Sequence, residues 1–200
     1  RAAGSYEAAA ALQKEVETRL LELADYLPSE PARILDLGCG PGRAAGLLKQ
    51  RWPKAQVIAM DLALPMLRQV PKHTRFWRPV QRVCGNAMQL PFQDNSFDFI
   101  FSSLCLQWAH PLPEALQEIR RVLRPDGMLA LSTFGPDTLI ELRDAYLAIG
   151  ETPALSPFAA IQQVGDGLQG SGFHKNVLDR ETYRMSYPDL RALMKELHAI

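Results

Sequence analysis

The sequence predicts an α/β protein built on a doubly wound, mostly parallel sheet with helices on both faces. Three observations carry that prediction. Short apolar runs alternate with longer amphipathic stretches, the pattern of repeated βαβ units. The run Phe97–Ser103 is bulky throughout, as a strand buried on both faces must be. The run Arg33–Leu37 ends in Gly38-Cys-Gly-Pro-Gly42 and opens a helix, the kind of turn that meets a ligand at the carboxyl edge of such a sheet.

Taken in order, the first element is an amphipathic helix over residues 5–27. Leu12, Val16, Leu20, Leu23 and Leu27 recur at three- and four-residue steps, with Glu15, Glu17, Arg19 and Glu22 between them. Ser5 is placed to cap it and Pro28 stops it. Arg33–Leu37 is the first strand, and a helix follows its glycine turn to about Arg51. Gln56–Met60 is the second strand, ending at Asp61, with a short helix over Leu62–Val70. A proline-rich loop leads to a third strand at Gln81–Cys84. Phe97–Ser103 is the fourth, Glu114–Leu123 is a helix, and Pro125-Asp126-Gly127 turns the chain into a fifth strand at Met128–Phe134. A helix covers 136–149. Beyond Gly150 the pattern predicts a helix over Ala159–Gln169, a strand over Lys175–Ser186 from the alternation at Val177, Leu178 and Met185, and a last helix from Asp189.

These elements make one domain over 1–200: an N-terminal helix (1–30), a cofactor-binding core (31–150), and a partly helical lid with the C-terminal part (151–200). The chain starts at Arg1 and stops in or just after a helix, so the domain is expected to be incomplete at both ends.

Composition excludes several classes of function. Over 200 residues, 22 Lys and Arg balance 22 Asp and Glu. Zero net charge argues against non-specific nucleic-acid or membrane-surface binding, which draws on a basic excess. At 47% hydrophobic and 22% charged residues the chain is composed like a folded globular protein. No apolar run approaches the roughly 18 residues of a membrane span. Cys39, Cys84 and Cys105 are odd in number, widely spaced and form no CxxC pair, which reads as reduced thiols of a cytoplasmic protein. A monomer is expected.

The glycine turn departs from a dinucleotide fingerprint in three ways. Its third glycine would fall at position 43, which is Arg43, and Pro41 removes a backbone N–H that would face a pyrophosphate. Asp36 would set a carboxylate beside that pyrophosphate. All three favour a ligand with a cationic group and no phosphate. Asp61, at the end of the second strand, can accept both hydroxyls of an unphosphorylated ribose. A glycine turn through Gly38, Cys39 and Gly40, one acid for an ammonium and another for a ribose diol together describe S-adenosyl-L-methionine. After the third strand, Asn86 offers an amide to an adenine edge and Ala87 and Met88 offer backbone groups, though Asn-Ala is also an ordinary turn. Leu62 and Met66 could cover the adenine face.

At these residues the chain resembles the Rossmann-like class I S-adenosylmethionine-dependent methyltransferases. Ile34-Leu-Asp-Leu-Gly-Cys-Gly-Pro-Gly42 is similar to their first motif and Ala59-Met-Asp61 to their ribose acid. Leu90-Pro-Phe92, Ser96-Phe-Asp98 and Arg121-Val-Leu-Arg-Pro-Asp-Gly127 are typical of them too. Three further stretches, residues 1–13, Ser102-Ser-Leu-Cys-Leu-Gln-Trp108 and Ser132–Arg143, together with Tyr183–Ile200, resemble the malonyl-acyl carrier protein O-methyltransferases of biotin synthesis. That family methylates the free carboxyl of a malonyl thioester, so that fatty-acid enzymes elongate it like an ordinary acyl chain. Asn86 stands where an Asp is common. The resemblance implies a carboxyl O-methyltransferase (EC 2.1.1), S-adenosyl-L-methionine as donor with Ser103 in its site, S-adenosyl-L-homocysteine as product, and an acidic acyl carrier protein as partner. Two alternatives stay open. One is a methyltransferase of another small carboxylate. The other is a non-methylating relative, since Ser156-Pro-Phe158 and the Tyr187-Pro188 region also resemble a complex I assembly factor that hydroxylates an arginine.

His73, His110, His174 and His198 are scattered, and no nucleophile–base or metal-ligand spacing is present. A malonyl carboxylate is ionised at neutral pH, so accepting a methyl needs no general base. Recognition of that carboxylate calls for a guanidinium fork, and Arg143, early in the helix after the fifth strand, is the candidate. It would otherwise be a solvated residue paired with Glu141 or Asp144. Tyr6 could cover the pocket and donate to the malonyl group, or simply pack. Gln107 and Trp108 follow the fourth strand, where acceptor substrates sit in this fold; Trp108 could equally wedge into the core. From Leu62 to Gln93 there is no acid, while Arg68, Lys72, Arg75, Arg78 and Arg82 are present. That stretch, or Arg180, Arg184, Arg191 and Lys195, could steer an acidic carrier protein.

Overall fold

The computed structural model describes residues 11–152 and 158–197. Its sheet has five strands: β1 (Arg33–Leu37), β2 (Gln56–Asp61), β3 (Gln81–Cys84), β4 (Phe97–Ser103) and β5 (Leu123–Ser132). Their order is β3-β2-β1-β4-β5 and every pairing is parallel. Strand order therefore reverses between β1 and β4, and a crevice opens beyond their carboxyl ends.

Alternation along the central strands gives the sheet two apolar faces. Ile34, Val57, Ala59, Phe99 and Phe101 belong to one cluster, into which Leu20 and Ala24 of the N-terminal helix and Ala44, Ala45 and Leu48 of the next helix pack. Leu35, Leu37, Ile58, Met60 and Ile100 belong to the other, covered by Leu116 and Ile119 and by Val164 and Leu168. Phe97, Phe99 and Phe101 are fully buried, each contributing about 1.5–3 kcal/mol relative to exposure.

The helices are α1 (Ala11–Glu22), α2 (Arg43–Arg51), α3 (Leu64–Leu67), α4 (Leu112–Val122), α5 (Ile140–Ala148), α6 (Ile161–Gly170) and α7 (Leu190–Leu197). A 3₁₀ turn at Leu23–Tyr26 ends the first of these, and Leu27, before Pro28, is extended as a residue preceding proline prefers. Ser5 lies outside the described residues. Leu139, in the left-handed region at φ 57°, delays α5 relative to the expected 136–149.

Two expectations are corrected. Pro125-Asp126-Gly127 does not precede β5 but interrupts it: Leu123 pairs with Phe97 and Met128 with Phe99, so the turn is extruded opposite Asp98. Lys175–Ser186 is not a strand. A strand needs a hydrogen-bonded neighbour, and this segment joins no ladder; Val177 is 95% exposed. Two ion pairs hold it instead, Arg180 to Asp137 and Glu181 to Arg19, so it runs between α1 and the loop after β5.

Candidate active site

Gly38, Gly40 and Gly42 all have positive φ, at 73°, 52° and 89°, a conformation that favours glycine. Their roles differ. A Cβ on Gly38 would lie 2.2 Å from Cys105 Sγ, whereas one on Gly40 would meet nothing within 4 Å. The turn is tight on its protein side and open on the other. The amides of Gly38 and Cys39 both donate to the Met60 carbonyl, at 2.8 and 3.0 Å. The Gly40 amide donates to Asp61 Oδ2 at 2.8 Å, and the Ala63 amide to Asp61 Oδ1 at 2.7 Å.

A cavity lies over this turn. Its floor is Asp36, Gly38, Cys39 and Gly40, with Phe101 and Ser103 of β4 at the side. Its roof is Gln13, Lys14 and Glu17 of α1, with Arg43 between. Asp36 is 1% exposed and its Oδ2 has no hydrogen-bond partner. Burial, with the charge of Glu17 next, holds its carboxyl well above the ordinary range; the Ala45 amide opposes this and Asp61 adds to it. Glu17 is also raised, by burial, although its ion pair with Arg43 pulls the other way. Cys39 is pushed far up by burial, and Cys105 to about 12, so neither thiol is a nucleophile near neutral pH.

Of the residues expected from sequence, Asp36, Gly38, Cys39, Gly40 and Ser103 share the cavity, and Asp61 is tied to it through Gly40. Ser103 Oγ lies 3.3 Å from Ser132 Oγ at the adjoining strand end. Leu62, 72% exposed, and the half-buried Met66 follow β2, outside the lining. Asn86 is exposed and its Oδ1 accepts the Met88 amide at 3.0 Å, which leaves its amide donor uncommitted for a ligand; Ala87 and Met88 pack on the second core cluster. Arg143 is half-buried and donates from Nη1 to the Pro136 carbonyl at 3.0 Å, rather than to Glu141 or Asp144. It does not line the cavity. Tyr6 lies outside the described residues. Trp108 is 71% exposed, which rules out the core-wedge reading, while Gln107 is buried with its Nε2 donating to the Leu104 carbonyl.

Sequence reasoning missed Gln13, Lys14, Glu17 and Arg43. The available signal was that Gln13 and Glu17, four apart, share one side of a helix beside its apolar stripe.

Among the described residues no cluster of His, Cys, Asp or Glu is arranged to hold a metal, and no helix is long and apolar enough to cross a membrane. The residues fit a cationic ligand: an unpartnered buried carboxylate oxygen, an open glycine turn and a second acid at the adjoining strand end.

Comparison with known proteins agrees. Residues 35–131 match the family described as Methyltransferase domain. The fold is that of a solved S-adenosylmethionine-dependent methyltransferase from Aquifex aeolicus, with a TM-score of 0.64 and 21% identity over 86% of this chain and 88% of that one. A second solved methyltransferase, from Thermotoga maritima, superposes with a TM-score of 0.64 at 20% identity, over 86% of this chain and 78% of that one. The matched domain and the fold are thus those of S-adenosylmethionine-dependent methyltransferases. Among curated relatives, the malonyl-[acyl-carrier protein] O-methyltransferase of Xylella fastidiosa is 51% identical over 100% of this chain and 68% of its own length. That of Methylococcus capsulatus is 44% identical over 100% of this chain and 72% of its own. The chain belongs to the malonyl-[acyl-carrier protein] O-methyltransferase family.

Proposed function

We propose that the protein methylates the free carboxylate of malonyl-acyl carrier protein, giving the methyl ester used in early biotin synthesis. The observation that carries this is the 51% identity to a relative of that name across the whole chain, beyond the 35–131 core shared with methyltransferases at large.

S-adenosylmethionine supplies a methyl group made electrophilic by its sulfonium, and Asp36, Gly38, Gly40 and Asp61 are the residues to hold it. Asp36 offers a buried acceptor to the ammonium; Asp61 offers acceptors to the ribose hydroxyls. Leu62, Met66, Asn86, Ala87 and Met88, along the ends of β2 and β3, receive the adenine. A malonyl carboxylate needs no proton removed, so the protein's task is alignment and exclusion of water, which supply roughly 7–11 kcal/mol in well-oriented reactions. Arg143 is the proposed carboxylate fork and Tyr6 its neighbour. Of the two basic groups, that of Arg180, Arg184, Arg191 and Lys195 suits the carrier protein better. Its Arg180 is bound to Asp137, in the loop after the carboxyl end of β5.

The test is transfer of labelled methyl from S-adenosylmethionine to malonyl-acyl carrier protein and malonyl-coenzyme A in parallel. Base-labile label on the carrier protein is expected. No transfer to either thioester, with the donor still bound, overturns the proposal.

A further inference from the structure

Two residues that line one cavity each carry a buried oxygen with no hydrogen-bond donor among the described residues. One is Asp36 Oδ2; the other is Gln13 Oε1, on α1. Gln13 lies outside the region 35–131 that matches methyltransferases in general. We propose that Gln13 completes the donor site: its amide oxygen and Asp36 Oδ2 together accept the N–H bonds of the ammonium of S-adenosylmethionine.

Ligand chemistry follows from the two acceptors. A buried acceptor left unpaired is costly, and two in the same cavity call for an occupant that brings N–H groups. A neutral hydroxyl has one hydrogen, whereas an ammonium has three and carries the charge that a carboxylate complements. Asp36 supplies the countercharge from β1 and Gln13 a neutral acceptor from α1. Glu17, one turn further along α1, is engaged by Arg43, which leaves the ammonium to Gln13.

The experiment is direct binding to the whole chain by calorimetry, with two probes. S-adenosylhomocysteine carries the ammonium; 5′-methylthioadenosine keeps the adenosine and sulfur but has no amino-acid head. Gln13→Leu is expected to weaken S-adenosylhomocysteine about tenfold or more and to leave methylthioadenosine within about twofold. Gln13→Glu keeps an acceptor and retains binding of the first probe. Leucine also removes a buried unpaired oxygen, so the ligand-free variant keeps or gains melting temperature. Equal weakening of both probes, or of neither, overturns the proposal. So does a fall in ligand-free melting temperature that parallels the loss of affinity. The inference rests on the donor reading of the cavity and not on the acceptor. Failure of the wild type to bind S-adenosylhomocysteine would remove that reading, whereas an indifferent Gln13→Leu removes Gln13 alone.

Discussion

The Asp61 carboxylate accepts the Gly40 amide at 2.8 Å through one oxygen and the Ala63 amide at 2.7 Å through the other. One side chain therefore staples the turn after β1 to the end of β2. Asp61→Ala is expected to lower donor affinity and also stability, the latter by about 1–3 kcal/mol, because two amides lose their acceptor. Asp61→Asn keeps one acceptor oxygen and loses less of both. Thermal unfolding and titration with S-adenosylhomocysteine check that order.

Two glycines of the same turn should fail differently. Gly38→Ala drives a methyl to 2.2 Å from Cys105 Sγ at a φ of 73°, and a loss of roughly 2–5 kcal/mol in stability is expected. Cys105→Ala does not rescue it, because Cβ of residue 105 is itself 2.3 Å away. Gly40→Ala meets nothing within 4 Å, so it costs only the conformational penalty of about 1–2 kcal/mol. Its methyl stands at the cavity, and the larger loss is in affinity. Equal stability for the two variants in denaturant titrations would contradict this.

Asp36 gives a dependence on pH with a defined sign. Its carboxyl is held high by burial and then by Glu17, so the folded state keeps a proton that the unfolded chain has released. Stability of the ligand-free protein therefore falls as pH rises from the ordinary carboxylate value of about 4 up through the raised one. Asp36→Asn flattens that fall. A cationic ligand selects the ionised form, so binding below the raised value releases a proton. Calorimetry in buffers of different ionisation heat reads that proton, and its absence would show that Asp36 is not the countercharge.

Arg143 separates acceptor from donor. Arg143→Ala is expected to raise KM for the malonyl thioester by about tenfold or more while leaving S-adenosylhomocysteine affinity unchanged. Unchanged kinetics would remove it from the carboxylate site and leave the methyl transfer in place.

Much of the core was legible because strand and turn signals are local. Arg33–Leu37, Gln81–Cys84 and Phe97–Ser103 emerge at the expected residues, since short runs between Pro, Gly and Asp leave little choice of bounds. Asp36 and Asp61 were legible because they close strands whose ends face the crevice. The segment around Val177 was misread because alternation reports a face and not a partner, and no edge pairs with it. Gln13 and Glu17 were missed for a related reason. Polar residues beside an apolar stripe look solvated until the fold lays another wall against them.

That the roof of the cavity comes from α1 bears on where the working enzyme begins. A fragment trimmed to the shared methyltransferase region, 35–131, loses only Arg33, Ile34 and Ser132 from the sheet and keeps the whole glycine turn. It discards Gln13, the counter-ion of Arg43, and the Leu20 and Ala24 side chains that seal one apolar face. The smallest functional unit is thus larger than the shared module. Any graft or chimera that moves this donor site onto another member of the fold has to carry the N-terminal helix with it.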